Sequence, residues 1–222
     1  MEFPEIKNII FDLGGVLLDL KFDHALKEFQ RLNRDMRLDD MREFIHHPLF
    51  TGFETGDVTP GEFRNRLRHL LKNEEVPDVE LDNTWCAMLG QVPESKVHLL
   101  RELSAGFNLF LYSNTNAIHI PYFRRAFKEQ HSVEWEHLFR QTFYSHEIGE
   151  RKPNLSSYRK VIALAGVDPQ QTLFVDDLEA NVAAAAAAGM HVLHYLPGNN
   201  LKDEIFSFLR SSGEDHQGGN AI

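Results

Sequence analysis

The chain has 222 residues and a formal net charge of −10 at pH 7. That length is enough for one core domain and a smaller appended unit. With 42% hydrophobic and 25% charged residues, the composition is that of an ordinary globular protein. The acidic balance disfavours nucleic acid and anionic membranes as partners. A small anion is not excluded, because a metal ion and one or two cationic side chains can reverse the field locally.

The sequence offers no sign of export or membrane insertion. No apolar run approaches the roughly 18 residues that a membrane-spanning helix needs. The N-terminal segment has acidic residues early and lacks a basic region followed by an apolar one, so we expect no signal peptide. Cys86 has no second cysteine to pair with. We therefore expect a cytoplasmic protein in which Cys86 is a small buried hydrophobe.

Short apolar runs predict the strands of a buried parallel sheet. The first covers residues 7–11 and ends at an aspartate followed within three residues by two glycines. Similar runs occur at 107–112, 141–144, 172–175 and 191–195. Helical patterns separate them at 118–127, 155–165 and 178–188. This alternation of strands and helices predicts an α/β fold with a parallel sheet.

Residues 19–93 interrupt the alternation and have a helical pattern throughout. Thr59 and Glu62 have the spacing of a capping box, with a proline at the first helical position. We therefore predict a core formed by residues 1–18 and 94–210, a helical insertion at 19–93 and a disordered tail at 211–222. Phe53 to Asp57 within the insertion could reach a site on the core.

Polar residues follow several of the predicted strands. Asp12 comes after the first strand, residues 113–116 after the second, and Asp176 and Asp177 after the fourth. Residues 151–153 lie in a loop after the third. In an open parallel sheet, ligands bind beyond the carboxyl ends of the strands. These residues are therefore candidates for a single functional site.

Convergence of the three aspartates would require a cation, and oxygen ligands favour a hard ion such as Mg²⁺. One carboxylate could then attack phosphorus, with a serine, a lysine and glycine-loop amides as donors to the phosphoryl oxygens. Each feature alone has an ordinary structural explanation. Asp12 could be a turn residue, Asp176 could cap a helix, and Ser113 and Asn114 could form a turn. Lys152 could be a solvated loop charge. The order of all four segments favours the catalytic interpretation.

Residues 11–16, 112–116, 149–153 and 175–177 resemble the four ordered motifs of the haloacid dehalogenase (HAD) superfamily of hydrolases. The resemblance extends from the N-terminus to about Pro197. It is strongest to bacterial sugar-phosphate phosphatases, including α-glucose-1-phosphate phosphatases. It implies a Rossmann-like core with a helical cap after the first strand, and Mg²⁺-dependent hydrolysis of a small phosphorylated molecule through an aspartyl phosphate. The resemblance leaves a monomer and a homodimer equally open.

The same resemblance implies a role for each metal ligand. Asp12 corresponds to the nucleophile and also to a ligand of the Mg²⁺ ion. Gly14 would offer its backbone carbonyl to that ion. Asp177 corresponds to the usual direct ligand, and Asp176 to a second ligand that acts directly or through water.

The phosphoryl group would be held by a second set of residues. Ser113 and Lys152 correspond to the residues that bind the transferred group. Gly14 and Gly15 would present their loop amides to the substrate, and Asn114 would lie beside the transferred group.

One position departs from the family pattern. Most family phosphatases have a second aspartate two residues after the nucleophile, which protonates the leaving group, whereas this chain has Gly14. Family dehalogenases have tyrosine there, so Gly14 also argues against the alternative of carbon–halogen hydrolysis. A non-catalytic phosphate-binding homologue is the other alternative. Without a substitute donor, we expect steep dependence of the rate on leaving-group basicity; Glu54 and a histidine of the insertion are candidate substitutes.

Overall fold

The computed structural model describes residues 6–33 and 47–214. Its centre is a parallel sheet of five strands in the order β3-β2-β1-β4-β5. The strands are β1 Asn8–Phe11, β2 Asn108–Ser113, β3 Gln141–Tyr144, β4 Thr172–Asp176 and β5 His191–His194. All five lie within one residue of the predicted runs, which confirms the α/β class.

Helices connect and follow the strands. Between β1 and β2 lie α1 Phe22–Leu32, α2 Pro48–Glu54, α3 Pro60–Leu70, α4 Asp78–Cys86 and α5 Glu94–Leu103. The remaining helices are α6 His119–His131, α7 Ser145–Ile148, α8 Leu155–Ala165, α9 Glu179–Ala187 and α10 Leu201–Glu214. Within the described ranges, no helix combines the length and apolar character needed to cross a bilayer.

Helices cover both faces of the sheet, and every residue of β1 and β4 is buried. Ile9 and Phe11 belong to one buried cluster, and Ile10, which points to the opposite face, belongs to another. β1 lies between β2 and β4, so the chain turns to opposite sides of β1 as it continues. Ligand sites of open α/β sheets form at such a reversal, and Asp12 lies there.

The helical insertion, residues 19–93, has a hydrophobic core of its own within its described residues. Phe53 stacks on Phe63 with ring centroids 4.1 Å apart, and Trp85 lies 5.0 Å from Phe50. The predicted capping box at Thr59 is confirmed by hydrogen bonds in both directions with Glu62. The insertion therefore packs around its own aromatic residues, and Ile118 of the core belongs to the same cluster.

The two passages of the chain between the insertion and the core run beside each other. Leu20 and Leu89 form an antiparallel bridge. On either side of it, the Lys21 amide donates to Met88 at 2.8 Å and the Gly90 amide donates to Asp19 at 2.9 Å. These backbone bonds hold the entry and exit of the insertion together.

The helix ends agree only in part with those predicted from the sequence. α8 has the predicted bounds, and Gly166 ends it in the left-handed conformation. Asn154 precedes α8, but its side chain makes no capping hydrogen bond. The prediction of a disordered tail from Ser211 is wrong for its first residues, because α10 continues through Glu214. Residues 215–222 of that prediction lie outside the described residues.

Candidate active site

Lys152 lies between two aspartates at the carboxyl ends of β1 and β4. Its ammonium donates hydrogen bonds of 2.6 Å to Asp12 Oδ1 and 2.6 Å to Asp176 Oδ2. The lysine side chain is 1% exposed, and Asp176 is fully buried. Burial by itself lowers the pKa of Lys152, but the charges of the two aspartates outweigh it and raise that pKa above its ordinary value. Lys152 is therefore a buried ammonium, which excludes the solvated loop charge.

Asn114 holds the backbone of Lys152 in place. The Lys152 amide donates to Asn114 Oδ1 at 2.9 Å, and Asn114 Nδ2 donates to the Lys152 carbonyl at 3.0 Å. This reciprocal pair joins the end of β2 to the loop that carries the lysine. The contacts give Asn114 a positioning role; the contact with substrate implied by the sequence stays a prediction.

Asp176 has structural partners as well as Lys152. Oδ1 accepts the Leu178 amide at 2.9 Å. The Asn181 side chain donates to Oδ1 at 2.9 Å and to Oδ2 at 3.1 Å. The sequence analysis missed Asn181, because nothing in the sequence distinguishes it from Glu179, the other polar residue of the alanine-rich α9. The capping interpretation of Asp176 is wrong, because Leu178 is the N-cap residue of α9 and Asp176 forms a turn two residues before it.

Asp177 lies against Gly15. A Cβ on Gly15 would be 2.2 Å from Asp177 Oδ2, and Gly15 has a φ of +80°. Only glycine allows both this backbone conformation and this close approach. Burial raises the pKa of Asp177, and the negative charge of Asp176 raises it further. Gly15 thus sets the position of the Asp177 carboxylate.

The three aspartates have a geometry suited to a cation. Asp12, Asp176 and Asp177 each offer an oxygen, and these oxygens all lie within 4.8 Å of one another. Burial raises the pKa of Asp12 to about 7, against the opposing effect of Lys152. Three carboxylates and one ammonium carry a net charge of −2, which one divalent cation would neutralise. An all-oxygen donor set of this kind fits Mg²⁺.

The other predicted residues lie around this centre. Ser113 ends β2 and is 3% exposed, and its hydroxyl makes a long 3.5 Å contact with the Asn114 carbonyl. Gly14 follows Asp12 by two residues, and a Cβ there would be 2.8 Å from Leu20 Cδ1. The Leu20 side chain therefore occupies the space beside position 14.

Two residues of the insertion reach the core, one at the loop that carries Lys152 and one at α7. Glu54 Oε2 lies 2.9 Å from Arg151 Nε, an ion pair whose N–H is not aligned with the carboxylate. Two residues later, a Cβ on Gly56 would be 2.5 Å from the carbonyl oxygen of His146 in α7. The segment from Phe53 to Asp57 thus reaches the core beside the site.

A second contact joins the insertion to the end of β2. Asn116 Oδ1 accepts the amides of Ile118 at 3.1 Å and His119 at 2.9 Å, and the Trp85 indole at 3.4 Å. His119 Nε2 lies 3.2 Å from the Trp85 carbonyl. Burial lowers the pKa of His119 to about 4, so this histidine is neutral near pH 7. Trp85 and His119 carried no recognisable signal in the sequence.

The fold and this cluster define a hydrolase of the HAD type. A family model described as haloacid dehalogenase-like hydrolase matches residues 6–189. The chain therefore belongs to the haloacid dehalogenase-like hydrolase family, and the predicted superfamily is confirmed.

Several curated relatives of the chain are phosphatases. It is 28% identical to a D-ribitol-5-phosphate phosphatase of Bacteroides thetaiotaomicron, over 93% of the chain and 100% of the relative. It is 33% identical to the sesquiterpene phosphatase astK of Aspergillus oryzae, over 85% of the chain and 89% of the relative. A phosphoglycolate phosphatase of Aliivibrio fischeri is 28% identical over 91% and 89% of the two chains.

Solved structures of HAD enzymes are also similar to this chain. A HAD family enzyme of Bacteroides thetaiotaomicron in complex with magnesium and inorganic phosphate has a TM-score of 0.81 and 30% identity, covering 88% of this chain and 96% of its own. A predicted HAD-like hydrolase of Porphyromonas gingivalis has a TM-score of 0.84 and 29% identity, covering 93% and 99%. The chain is thus an enzyme of the HAD hydrolase type with phosphatase relatives.

Proposed function

We propose that the chain is a Mg²⁺-dependent phosphomonoester hydrolase that works through an aspartyl phosphate on Asp12. The observation that carries this proposal is the Lys152 ammonium buried between Asp12 and Asp176, with Asp177 completing the carboxylate cluster. A phosphate-binding protein without activity has no need of a carboxylate held so closely beside a buried ammonium.

In the proposed reaction, an Asp12 oxygen attacks phosphorus and the bond from phosphorus to the leaving oxygen breaks. Lys152, already oriented, neutralises charge on the phosphoryl oxygens. The Ser113 hydroxyl and the Gly14 amide donate to the same oxygens. Their preset positions reduce the reorganisation needed to reach the transition state. The Gly15 amide, predicted from the sequence as a further donor, instead donates to the Leu18 carbonyl at 2.8 Å.

The metal would be held by the side chains of Asp12, Asp176 and Asp177 and by the Gly14 carbonyl. When bound, the ion neutralises phosphoryl charge and orients the group for in-line attack. A relative in structure was solved with magnesium and inorganic phosphate, which supports both the ion and the ligand class.

The substrate class is a small phosphorylated metabolite. Ribitol 5-phosphate and phosphoglycolate, named for two relatives, both carry the phosphate on a primary oxygen. We propose a sugar or polyol phosphate for this chain. The finer resemblance to glucose-1-phosphate phosphatases remains part of this proposal, and a comparison of anomeric with primary phosphates would test it.

We further propose that the helical insertion, residues 19–93, is a cap on a core of residues 1–18 and 94–210. Its aromatic cluster, which lies mostly within the insertion and includes Ile118 of the core, and the paired passages at Leu20 and Leu89 support a body that can move as a unit. Closure of such a cap would exclude water while the phosphoryl group is transferred. We also propose a cytoplasmic location, because Cys86 is buried and forms no disulfide, which fits a reducing compartment. The proposed oligomeric state is a monomer or a homodimer.

Phosphate release from a panel of sugar, polyol and small-acid phosphates tests the function. We expect release with Mg²⁺, none with excess chelator, and recovery when Mg²⁺ is returned. Halide release from 2-haloacids, without phosphate release, would identify a dehalogenase instead. Binding of phosphate without turnover of any panel member would identify a non-catalytic homologue.

A further inference from the structure

The proposed reaction needs a proton donor for the leaving oxygen, and position 14 cannot supply one. Gly14 has no side chain, and Leu20 Cδ1 lies 2.8 Å from the place where a Cβ would be. The space is therefore filled by a hydrocarbon that belongs to the passage into the insertion. A donor must come from another element that faces the site.

Glu54 is in a suitable place. It is the last residue of α2, its side chain is 25% exposed, and it pairs with Arg151, the residue before Lys152. The turn that follows Glu54 is held against the core, because Gly56 packs directly against the His146 carbonyl. Glu54 is thus held over the loop that carries Lys152, although it belongs to the insertion.

The histidines of the insertion are less suitable. Among the described residues, His24 Nδ1 contacts the Ala87 carbonyl at 3.1 Å. His47 Nδ1 accepts the Leu49 amide at 3.1 Å and so caps α2. His69 is 86% exposed beside Glu74. Glu54 is the insertion's titratable group that pairs with the Lys152 loop.

We propose that Glu54 is the acid–base residue of this phosphatase. The assignment rests on the proposed function above. In the first step, Asp12 attacks phosphorus, the bond to the leaving oxygen breaks, and the Glu54 carboxyl gives its proton to that oxygen. In the second step, the Glu54 carboxylate takes a proton from water as the water oxygen attacks phosphorus. The bond from phosphorus to Asp12 breaks, inorganic phosphate leaves, and Glu54 is protonated again.

The surroundings of Glu54 suit both protonation states. Burial raises the pKa of the Glu54 carboxyl, and the charge of Arg151 acts against that increase. Burial therefore favours the acid that the first step needs, and Arg151 stabilises the carboxylate that the second step needs.

The test compares Glu54→Gln with wild type on an alkyl and an aryl phosphate, ribitol 5-phosphate and 4-nitrophenyl phosphate. An alkoxide is a strong base and needs the proton; 4-nitrophenolate is a weak base and leaves without it. We expect kcat/KM on the alkyl substrate to fall about 10²–10⁴-fold and kcat/KM on the aryl substrate to change far less. Because the second step loses its base, a burst of 4-nitrophenol equal to the enzyme concentration should precede slow turnover.

The matched control is Asp82→Asn, which removes a different carboxylate of the insertion from its pair with Arg64 at 2.8 Å. It should leave the alkyl-to-aryl ratio unchanged and give no burst. Glu54→Asp, which keeps an acid on a shorter side chain, should recover part of the alkyl activity. Equal losses on both substrates in Glu54→Gln, without a burst, would overturn the assignment while the proposed function stands. A wild type that hydrolyses no member of the phosphate panel in the presence of Mg²⁺ overturns both.

Discussion

Lys152 and its carboxylates illustrate how single residues set the chemistry of the site. A buried ammonium is costly unless it is paired, and Asp12 and Asp176 supply the pairing at 2.6 Å each. The pairs also hold the Asp12 carboxylate at one orientation before any substrate binds. Fixed donors and acceptors of this kind are the main source of transition-state stabilisation in many enzymes.

Asp12→Asn removes the attacking anion and keeps the shape of the side chain. We expect phosphate release to fall to the buffer background, since an amide is not a nucleophile for phosphorus. The fold should persist at lower stability, because Lys152 loses one buried counter-charge but keeps its hydrogen bond to Asp176. Phosphate release and thermal unfolding measure the two effects. The control is Asp19→Asn at an exposed position, and substantial residual turnover in Asp12→Asn would rule out the aspartyl phosphate.

Gly15→Ala tests the close approach of the glycine loop to Asp177. The new methyl would lie 2.2 Å from Asp177 Oδ2, so the carboxylate must move. We expect the Mg²⁺ affinity, measured by calorimetry, to fall on the order of 10–100-fold. Losses of this size are typical when a residue that orients a metal ligand is changed. Gly166→Ala is the matched control, since it has a φ of +65° with no neighbour within 4 Å. An equal loss of affinity in both variants would mean that Asp177 does not bind the ion.

At the scale of elements, the sequence was sufficient where a local pattern decides the structure. The five strands are short apolar runs, of which β1 and β4 are buried at every residue. The Thr59 capping box is a contact within one turn. Contacts between distant segments were not predictable. Asn114 binds the Lys152 backbone, and Glu54 meets Arg151, only because the fold brings these segments together. The ordered motifs identified Asp12 and Lys152, while Asn181 and Trp85 required the three-dimensional structure.

The contact between α4 and α6 makes stability depend on pH. His119 has a pKa of about 4 in the folded chain against 6.5 for an unperturbed histidine, so the unfolded chain binds its proton first. Its contribution to stability is fully present above pH 6.5 and declines as the pH falls toward 4. We expect the advantage of wild type over His119→Gln in free energy of unfolding to shrink by about 2 kcal/mol between about pH 7 and pH 5.

Urea unfolding at the two pH values measures this difference. Gln can still bond to Asn116 and to the Trp85 carbonyl, so it removes the titration more than the contact. His98→Gln, at an exposed position, is the control and should show a smaller change. A wild-type advantage that does not vary with pH would mean that His119 titrates normally in the folded chain.

For the whole molecule, the balance of charge couples metal binding to folding. The chain carries a net charge of −10, and its buried cluster adds three carboxylates around one ammonium. An ion that binds only the folded state raises stability by mass action, about 2.7 kcal/mol at 100 times its dissociation constant. Thermal unfolding with Mg²⁺ should therefore occur at a higher temperature than unfolding with chelator.

The two neighbouring aspartates should separate this effect into binding and folding. Asp177 is partly exposed and faces the glycine loop, whereas Asp176 is fully buried and bonds to Lys152, Leu178 and Asn181. We expect Asp177→Asn to unfold near the wild-type temperature in chelator and to gain little from Mg²⁺. Asp176→Asn should lose about 3–5 kcal/mol without any metal, because Lys152 loses one of its two buried counter-charges. Thermal unfolding of both variants, each with and without Mg²⁺, gives four temperatures; the reverse pattern would exchange the roles proposed for the two residues.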